Sequence, residues 1–266
     1  TPFHITKGCL SKKRITKLLD LLIKKNKSIK SLNLSGCIIN FSDFKKLENF
    51  KNLRSLNLHQ TIEFGKIFRN VNFTKYNMLQ IEKIIYLIIS KLDLKLLDIS
   101  NNYFINKPME FMNIETLEIL SMENCKFGII LDNIFKYSKL INLRELDISG
   151  NKIKIEELEE ISKLKKLKLL YCNNTYISFL TAEQLINIFV NNSIKIKSLE
   201  YLDISWNNIH IFSDNISNDN ISNDDYISRE FLLLNIKKLI TILPNLKKLK
   251  IVFRNKNEIT RIMNDI

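Results

Sequence analysis

The chain has 266 residues, 45% of them hydrophobic, and a formal net charge of +13. That length and apolar share support one sizeable core, and the absence of any run of ~18 apolar residues argues against a membrane-spanning helix. The charge suggests nucleic acid, but residues 1–30 hold nine Lys/Arg against one Asp and residues 229–256 eight against one Glu, while residues 31–228 hold 23 against 24; this is the pattern of two solvated ends around a neutral middle.

Residues 1–10 carry no strong signal. From Ser11, which can cap a helix, the spacing of Ile15, Leu18, Leu19, Leu22 and Ile23 predicts an amphipathic helix whose apolar stripe covers the end of whatever follows. A frame then begins, of the form L-x-x-L-x-L followed by a polar residue and a further apolar one. Its first copy is Ile29-Leu32-Leu34-Cys37-Ile39. Leu53-Leu56-Leu58-Thr61 is the second, with Glu63 where an apolar residue is expected. Between them Phe44, Leu47 and Phe50 lead back to Leu53 at three-residue steps, which predicts a short helical return lining the core. Glu63 to Tyr76 has little period, and Ile81, Ile84, Ile85, Ile88 and Leu92 predict a longer helix, so that residues 62–92 read as an insertion.

The third copy is Leu94-Leu97-Ile99-Asn102-Phe104, and the fourth Leu117-Leu120-Met122-Cys125-Phe127. The fifth, Leu143-Leu146-Ile148-Asn151-Ile153, is the clearest. Leu158, Ile161 and Leu164 predict another helical return before the sixth, Leu167-Leu170-Cys172-Thr175-Ile177. The seventh is Leu199-Leu202-Ile204-Asn207-Ile209. An acidic, low-complexity tract at 213–228, N-I-S-N-D nearly duplicated, lies within a second insertion over 210–228 and reads as a flexible loop. Leu232, Ile236, Leu239, Ile240 and Leu243 predict a helix over 229–243, ended by Pro244, before a truncated last copy, Leu246-Leu249-Ile251.

The copies start at 29, 53, 94, 117, 143, 167, 199 and 246, so four of the seven intervals are 23 to 26 residues. Within each copy the second and third apolar residues alternate with polar ones, the signature of a half-buried strand. One such strand cannot bury its inner side chains alone, whereas stacked coils make a continuous core. This frame resembles that of the leucine-rich repeat family, and its helical returns resemble the family's Sds22-like and typical classes. The resemblance implies an α/β solenoid: a curved parallel sheet on the concave side, helices and loops on the convex side. One domain is expected, with a helical cap over 1–28, repeats over 29–228 and a terminal cap over 229–266. It also implies that the Asn, Cys or Thr after each strand hydrogen-bonds the backbone of the neighbouring coil.

Cys37 and Cys125 fall on that polar position, Cys172 faces inward, and no C-x-x-C occurs, so reduced thiols are expected. Three His, five Gly and no phosphate-binding glycine motif offer little to an enzyme, and no catalytic residue, metal site or cofactor is expected. The x positions of the strands point to the concave face. From these, Asp98, Glu118, Glu123, Arg144, Asp147, Lys168, Tyr171, Tyr201 and Asp203, with Trp206 just beyond, form the candidate protein-binding surface, Asp98, Asp147 and Asp203 sharing one column.

The resemblance thus implies a non-enzymatic module that binds a protein partner on its concave face, as a monomer or weak homo-oligomer. Heavy use of Lys, Asn and Ile fits an AT-rich, parasitic eukaryote, and a chain starting at Thr1 fits a leader removed, so a secreted effector is one version; a cytoplasmic protein is the other. The rivals are an RNA- or ribosome-associated protein using its basic ends, and an intracellular subunit similar to phosphatase regulators.

Overall fold

The computed structural model describes residues 2–4, 12–25, 28–37, 39, 41–61, 75–102, 114–125, 135, 138–153, 155–175, 196–205, 237, 239–251 and 261–262. Its strands are β1 (Pro2–His4), β2 (Ser31–Asn33), β3 (Ser55–Asn57), β4 (Leu96–Asp98), β5 (Ile119–Ser121), β6 (Glu145–Asp147), β7 (Leu169–Tyr171), β8 (Tyr201–Asp203), β9 (Lys248–Ile251) and β10 (Arg261–Ile262). They form one sheet in strict chain order. β1 to β9 pair in parallel, and β10 turns back antiparallel on β9. Each coil thus contributes one short strand and returns behind the sheet before adding the next, which is an open α/β solenoid.

The register shows why the Leu frame makes this shape. Leu56 pairs Leu97, Leu97 pairs Leu120, Leu120 pairs Leu146, and the row continues through Leu170 and Leu202 to Leu249. These middle-strand residues are all buried and form one leucine wall. The first frame position, from Ile29 to Leu246, makes a second buried row, and Leu34, Leu58, Ile99, Met122, Ile148, Cys172 and Ile204 a third. Period two sends the residues on either side of the middle Leu to the opposite face, and from β2 to β8 those are only partly buried except Asp203, which is buried.

On the other layer, α1 (Lys12–Lys25) buries Ile15 and Leu19 against the first coil, as its periodicity predicts. α2 (Phe41–Lys46) and the 3-10 turn Leu47–Asn49 bury Phe44, Leu47 and Phe50. α3 (Lys75–Ser90) covers the long interval with Ile85, Ile88 and Ile89 inward, and α4 (Ile155–Ile161) buries Leu158 and Ile161. In the described part, no helix is long and apolar enough to cross a membrane. A buried carboxylate locks α1 to α2: the Thr16 hydroxyl donates to Asp43 Oδ2 at 3.0 Å, while Lys46 reaches Asp20 at 2.7 Å and Asp43 at 3.6 Å. The hydrogen bond to Asp20 and the neighbouring Asp43 hold the Lys46 ammonium above its ordinary pKa.

Two strands depart from the sequence reading. β1 lies in the segment 1–10 that carried no signal, because three residues of strand have no period to detect, and it extends the sheet below the first frame copy. β10 lies in the polar tail. Of the expected helix over 229–243, residues 237 and 239–242 are described and helical, with Leu239 and Leu243 buried; the acidic tract 213–228 falls outside the described residues.

The turn leaving each strand repeats as faithfully as the strand. Gly36, Gln60, Asn101, Asn124, Gly150 and Asn174 all have positive φ, between 48° and 69°. Each immediately precedes the polar frame residue. Gly150 is the tightest: a Cβ there would stand 3.3 Å from the backbone Cα of Asn124 in the coil below.

The polar frame residues then stitch coil to coil. Asn151 Nδ2 donates to Met122 O at 2.6 Å and Ile148 O at 2.9 Å, and its Oδ1 accepts the Cys125 amide at 3.0 Å. Asn102 does the same to Leu58 O, Ile99 O and the Thr61 amide. Where the residue is smaller it donates once or twice: Thr61 to Leu34 O, Cys125 to Ile99 O, Thr175 to Cys172 O. The buried turn amides and carbonyls are answered inside the protein.

Cys37, Cys125 and Cys172 are free and buried, and burial pushes all three thiols up from their ordinary pKa. With Cys9 replaced by Ser, native protein at pH 8 should react with a disulfide reagent at least about 100-fold more slowly than unfolded protein, because reaction requires a coil to open. Rapid labelling of Cys125 or Cys172 in the native state would contradict the closed ladder.

Candidate functional site

Two columns run across the outer face of the sheet, at the first and third strand positions, and a third runs along the residues just before the strands. The strand-exit column reads Asn33, Asn57, Asp98, Ser121, Asp147, Tyr171, Asp203, Lys250. The strand-start column reads Ser31, Ser55, Leu96, Ile119, Glu145, Leu169, Tyr201, Lys248. Before it lies the entry edge, Lys30, Arg54, Lys95, Glu118, Arg144, Lys168, Glu200 and Lys247, one residue from each coil.

The candidate residues divide between these columns. Glu118, Arg144 and Lys168 belong to the entry edge, not to the strand faces where the sequence reading grouped them. Glu118 takes Lys95 at 2.7 Å, and Lys168 and Lys247 converge on Glu200 at 2.6 and 2.7 Å. The Lys95 hydrogen bond lowers the Glu118 pKa, and the paired lysines bring Glu200 down to about 2. These are exposed pairs, screened by solvent, that contribute little stability.

Asp98, Asp147, Tyr171 and Asp203 share the exit column as expected, with Tyr201 one strand-position away. Tyr171 and Tyr201 meet across β7 and β8 with ring centroids 4.9 Å apart, tilted by 43°. Lys248 lies over the Tyr201 ring at 5.6 Å, and Lys250 pairs with Asp203 at 3.1 Å. Burial pushes Tyr201 up to about 12, with Asp203 adding to it. Glu123 is exposed in the turn after β5, beside this column. His59 stands in the turn after β3, its ring Nε2 3.4 Å from Asn101 Nδ2. Trp206 falls outside the described residues.

The column's aspartates have a local task. Asp98, Asp147 and Asp203 each accept the amide of the residue two further on, at 2.9, 2.9 and 3.0 Å. That oxygen closes the turn off the strand. Asn33 and Asn57 make the same bond at 2.9 and 2.8 Å. The turn therefore needs an oxygen and not a charge.

The carboxylates around Asp147 strain one another. Burial, then the charge of Asp147, raises the Glu123 and Glu145 pKa values; burial first, with Asp98 and Asp203 adding, raises that of Asp147. Their folded pKa values lie above the unfolded ones, so protonation favours the fold. The stability they add is complete below the ordinary carboxylate pKa and is lost as pH rises through the raised values. Among the described residues, no cation forms an ion pair with Asp98, Glu123, Glu145 or Asp147.

The sequence reading missed the apolar members of the start column. Leu96, Ile119 and Leu169 are x positions of the frame and only partly buried. They were passed over because apolar residues beside a Leu-rich strand read as core. The register is the signal that finds them: they stand one residue before Leu97, Leu120 and Leu170, and so on the opposite face.

The outer face of this parallel sheet carries tyrosines, carboxylates and partly exposed aliphatic side chains. Residues 141–187 match the family model described as "Leucine Rich repeats (2 copies)", and residues 198–219 match "Leucine Rich Repeat". Together with coils stacked in the register above, these matches support a leucine-rich repeat protein. Domains of this family generally mediate protein–protein interaction.

Solved structures of similar fold include a leucine-rich repeat protein of Leptospira interrogans, at 19% identity and a TM-score of 0.47, over 85% of this chain and 50% of that one. The chain therefore spans half the length of that protein. An internalin of Listeria monocytogenes is 13% identical over 91% of this chain and 70% of that one, with a TM-score of 0.49. Internalin C2 of the same organism is 14% identical over 88% and 92%, with a TM-score of 0.40. No curated protein sequence matches the chain.

Proposed function

We propose that the protein docks another protein on the outer, concave face of its sheet, around β5 to β8. The observation that carries this reading is the start column: Leu96, Ile119, Leu169 and Tyr201 lie partly exposed beside the tilted Tyr171–Tyr201 pair, on a face where the fold itself needs no apolar side chain. Aromatic and aliphatic side chains edged by charge are the usual anchors of a protein interface.

A photo-cross-linking amino acid placed at Ile119 should capture a partner, and the same probe at the exposed Lys163, behind the sheet, should not. Capture only from Lys163 would move the interface to the convex side. With the partner in hand, Tyr201→Ala should weaken binding by roughly 10- to 30-fold, the loss expected for a central anchor. An unchanged affinity would remove Tyr201 from the interface.

A further inference from the structure

The charges on the docking face are arranged across it rather than scattered. Its entry edge is mostly basic, and its two acidic members, Glu118 and Glu200, are already held by lysines. The exit side is acidic in its middle coils, and three of its carboxylates, on Asp98, Glu123 and Asp147, together with Glu145 of the start column, have no cation on them among the described residues. This occurs in a chain of net charge +13, where supplying a lysine would have cost nothing in composition.

Two comparisons inside the protein give the acidic side its meaning. The first is between coils. Asn33 and Asn57 close the strand-exit turn as well as Asp98 and Asp147 do, so the negative charge at the latter two serves something other than the turn. The second is between neighbouring strands. At β8 and β9 a tyrosine and an aspartate meet lysines of the same chain: Lys248 over Tyr201, Lys250 on Asp203. Earlier in the sheet, Asp147 of β6 and Tyr171 of β7 face each other in register, and among the described residues no lysine pairs with that carboxylate. Asp98 lies two strands before Asp147, about 10 Å away at the usual strand spacing. A cationic side chain entering there would meet the Tyr171 ring, the carboxylates of Asp147 and Glu145, and Leu169 beneath its aliphatic stem.

We infer that the segment of the partner protein seated on this face is basic, and that it places an arginine or lysine between Asp147 and Tyr171 with its apolar neighbours on Leu96, Ile119 and Leu169. Arginine suits the place better than lysine, because a planar guanidinium can take a carboxylate with two donors while stacking on a ring. The arriving cation also offsets the burial and the neighbouring negative charge that together raise the Asp147 and Glu145 pKa values. The inference rests on the concave face being the docking face, and it adds the chemistry of what docks.

Two fluorescent 12-residue peptides separate the two claims: one alternating Arg and Leu, the other alternating citrulline and Leu, so that shape is kept and charge removed. The variants are Asp98→Asn with Asp147→Asn, which keep the turn bond as Asn33 and Asn57 do, and Leu169→Arg, which blocks the apolar column. The Arg peptide should bind at 150 mM salt at least ~10-fold more tightly than the citrulline peptide. The double Asn variant should remove that difference without lowering thermal stability, and Leu169→Arg should abolish binding of both peptides. Equal binding of the two peptides, no binding of the Arg peptide, or an Arg preference that survives the double Asn variant would overturn the cation site. Equal binding that Leu169→Arg abolishes would do so while leaving the docking face in place. Arg-peptide binding untouched by Leu169→Arg would overturn the docking face itself. A preference for single-stranded RNA over either peptide, lost on changing Arg54 and Arg144 to Gln, would overturn the proposal in favour of an anionic partner on the entry edge.

Discussion

Asn151→Ala is expected to cost about 3–6 kcal/mol, since each buried backbone group left without a partner costs on the order of 1–3 kcal/mol. The side chain answers three such groups at once: the Cys125 amide, the Met122 carbonyl and the Ile148 carbonyl. One belongs to its own coil and two to the coil before it, so the loss falls on the joint between coils rather than within one. Alanine leaves a gap lined by polar groups, and admission of a water would bring the cost to the lower end of that range. Asn151→Thr is the informative partner variant. Thr61 holds the equivalent place in its own coil with one hydroxyl, donating to Leu34 O, so threonine at 151 should recover part of the loss. Urea denaturation measures both, and amide exchange at Cys125 reports the joint directly. An Asn151→Ala protein as stable as the parent, with Cys125 still protected, would show that the ladder does not hold the coils together.

The second large effect separates two adjacent leucines. Leu170→Ala should cost about 3–5 kcal/mol, the range for a fully buried leucine whose surroundings cannot collapse into the cavity. It sits in the wall between Leu146 and Leu202, both buried. Leu169→Ala should cost roughly 1 kcal/mol or less, because its side chain stands on the partly exposed outer face and leaves no closed cavity. The two residues have the same composition, the same strand and consecutive numbers, so only the facing of the sheet distinguishes them. Equal losses at the two positions would mean that the strand is not seated in the register described.

That contrast also marks how far the sequence could be read. The buried rows were legible because period two within a strand and a 23–26-residue period between strands both act on the same leucines. Helical returns were legible where three- and four-residue spacing ran long enough, as in α1 and α3. β1 was not, since Pro2–His4 is strand only because β2 offers it an edge. Nor was β10, whose pairing is imposed by β9 on a polar stretch.

On the outer face of the sheet the sequence supplied the charged and aromatic members but not their grouping. Glu118, Arg144 and Lys168 precede their strands, and Glu118 and Lys168 pair with side chains of neighbouring coils, a fact of stacking that no single repeat contains. Leu96, Ile119 and Leu169 were hidden by their own chemistry, since an aliphatic side chain beside a leucine repeat gives no hint of which way it points. That Asp98 and Asp147 serve as turn acceptors without their charge being needed for the turn emerged only from coils where asparagine stands in the same place.

The reversal of β10 on β9 has a consequence for how such an array grows. A sheet built by parallel addition presents at its last strand the edge on which the next coil, or the first strand of another molecule, would be laid down. Here that edge is occupied by a strand running the other way. A further parallel strand is thereby kept off the β9 edge itself, as open edges in other sheets are managed by covering them.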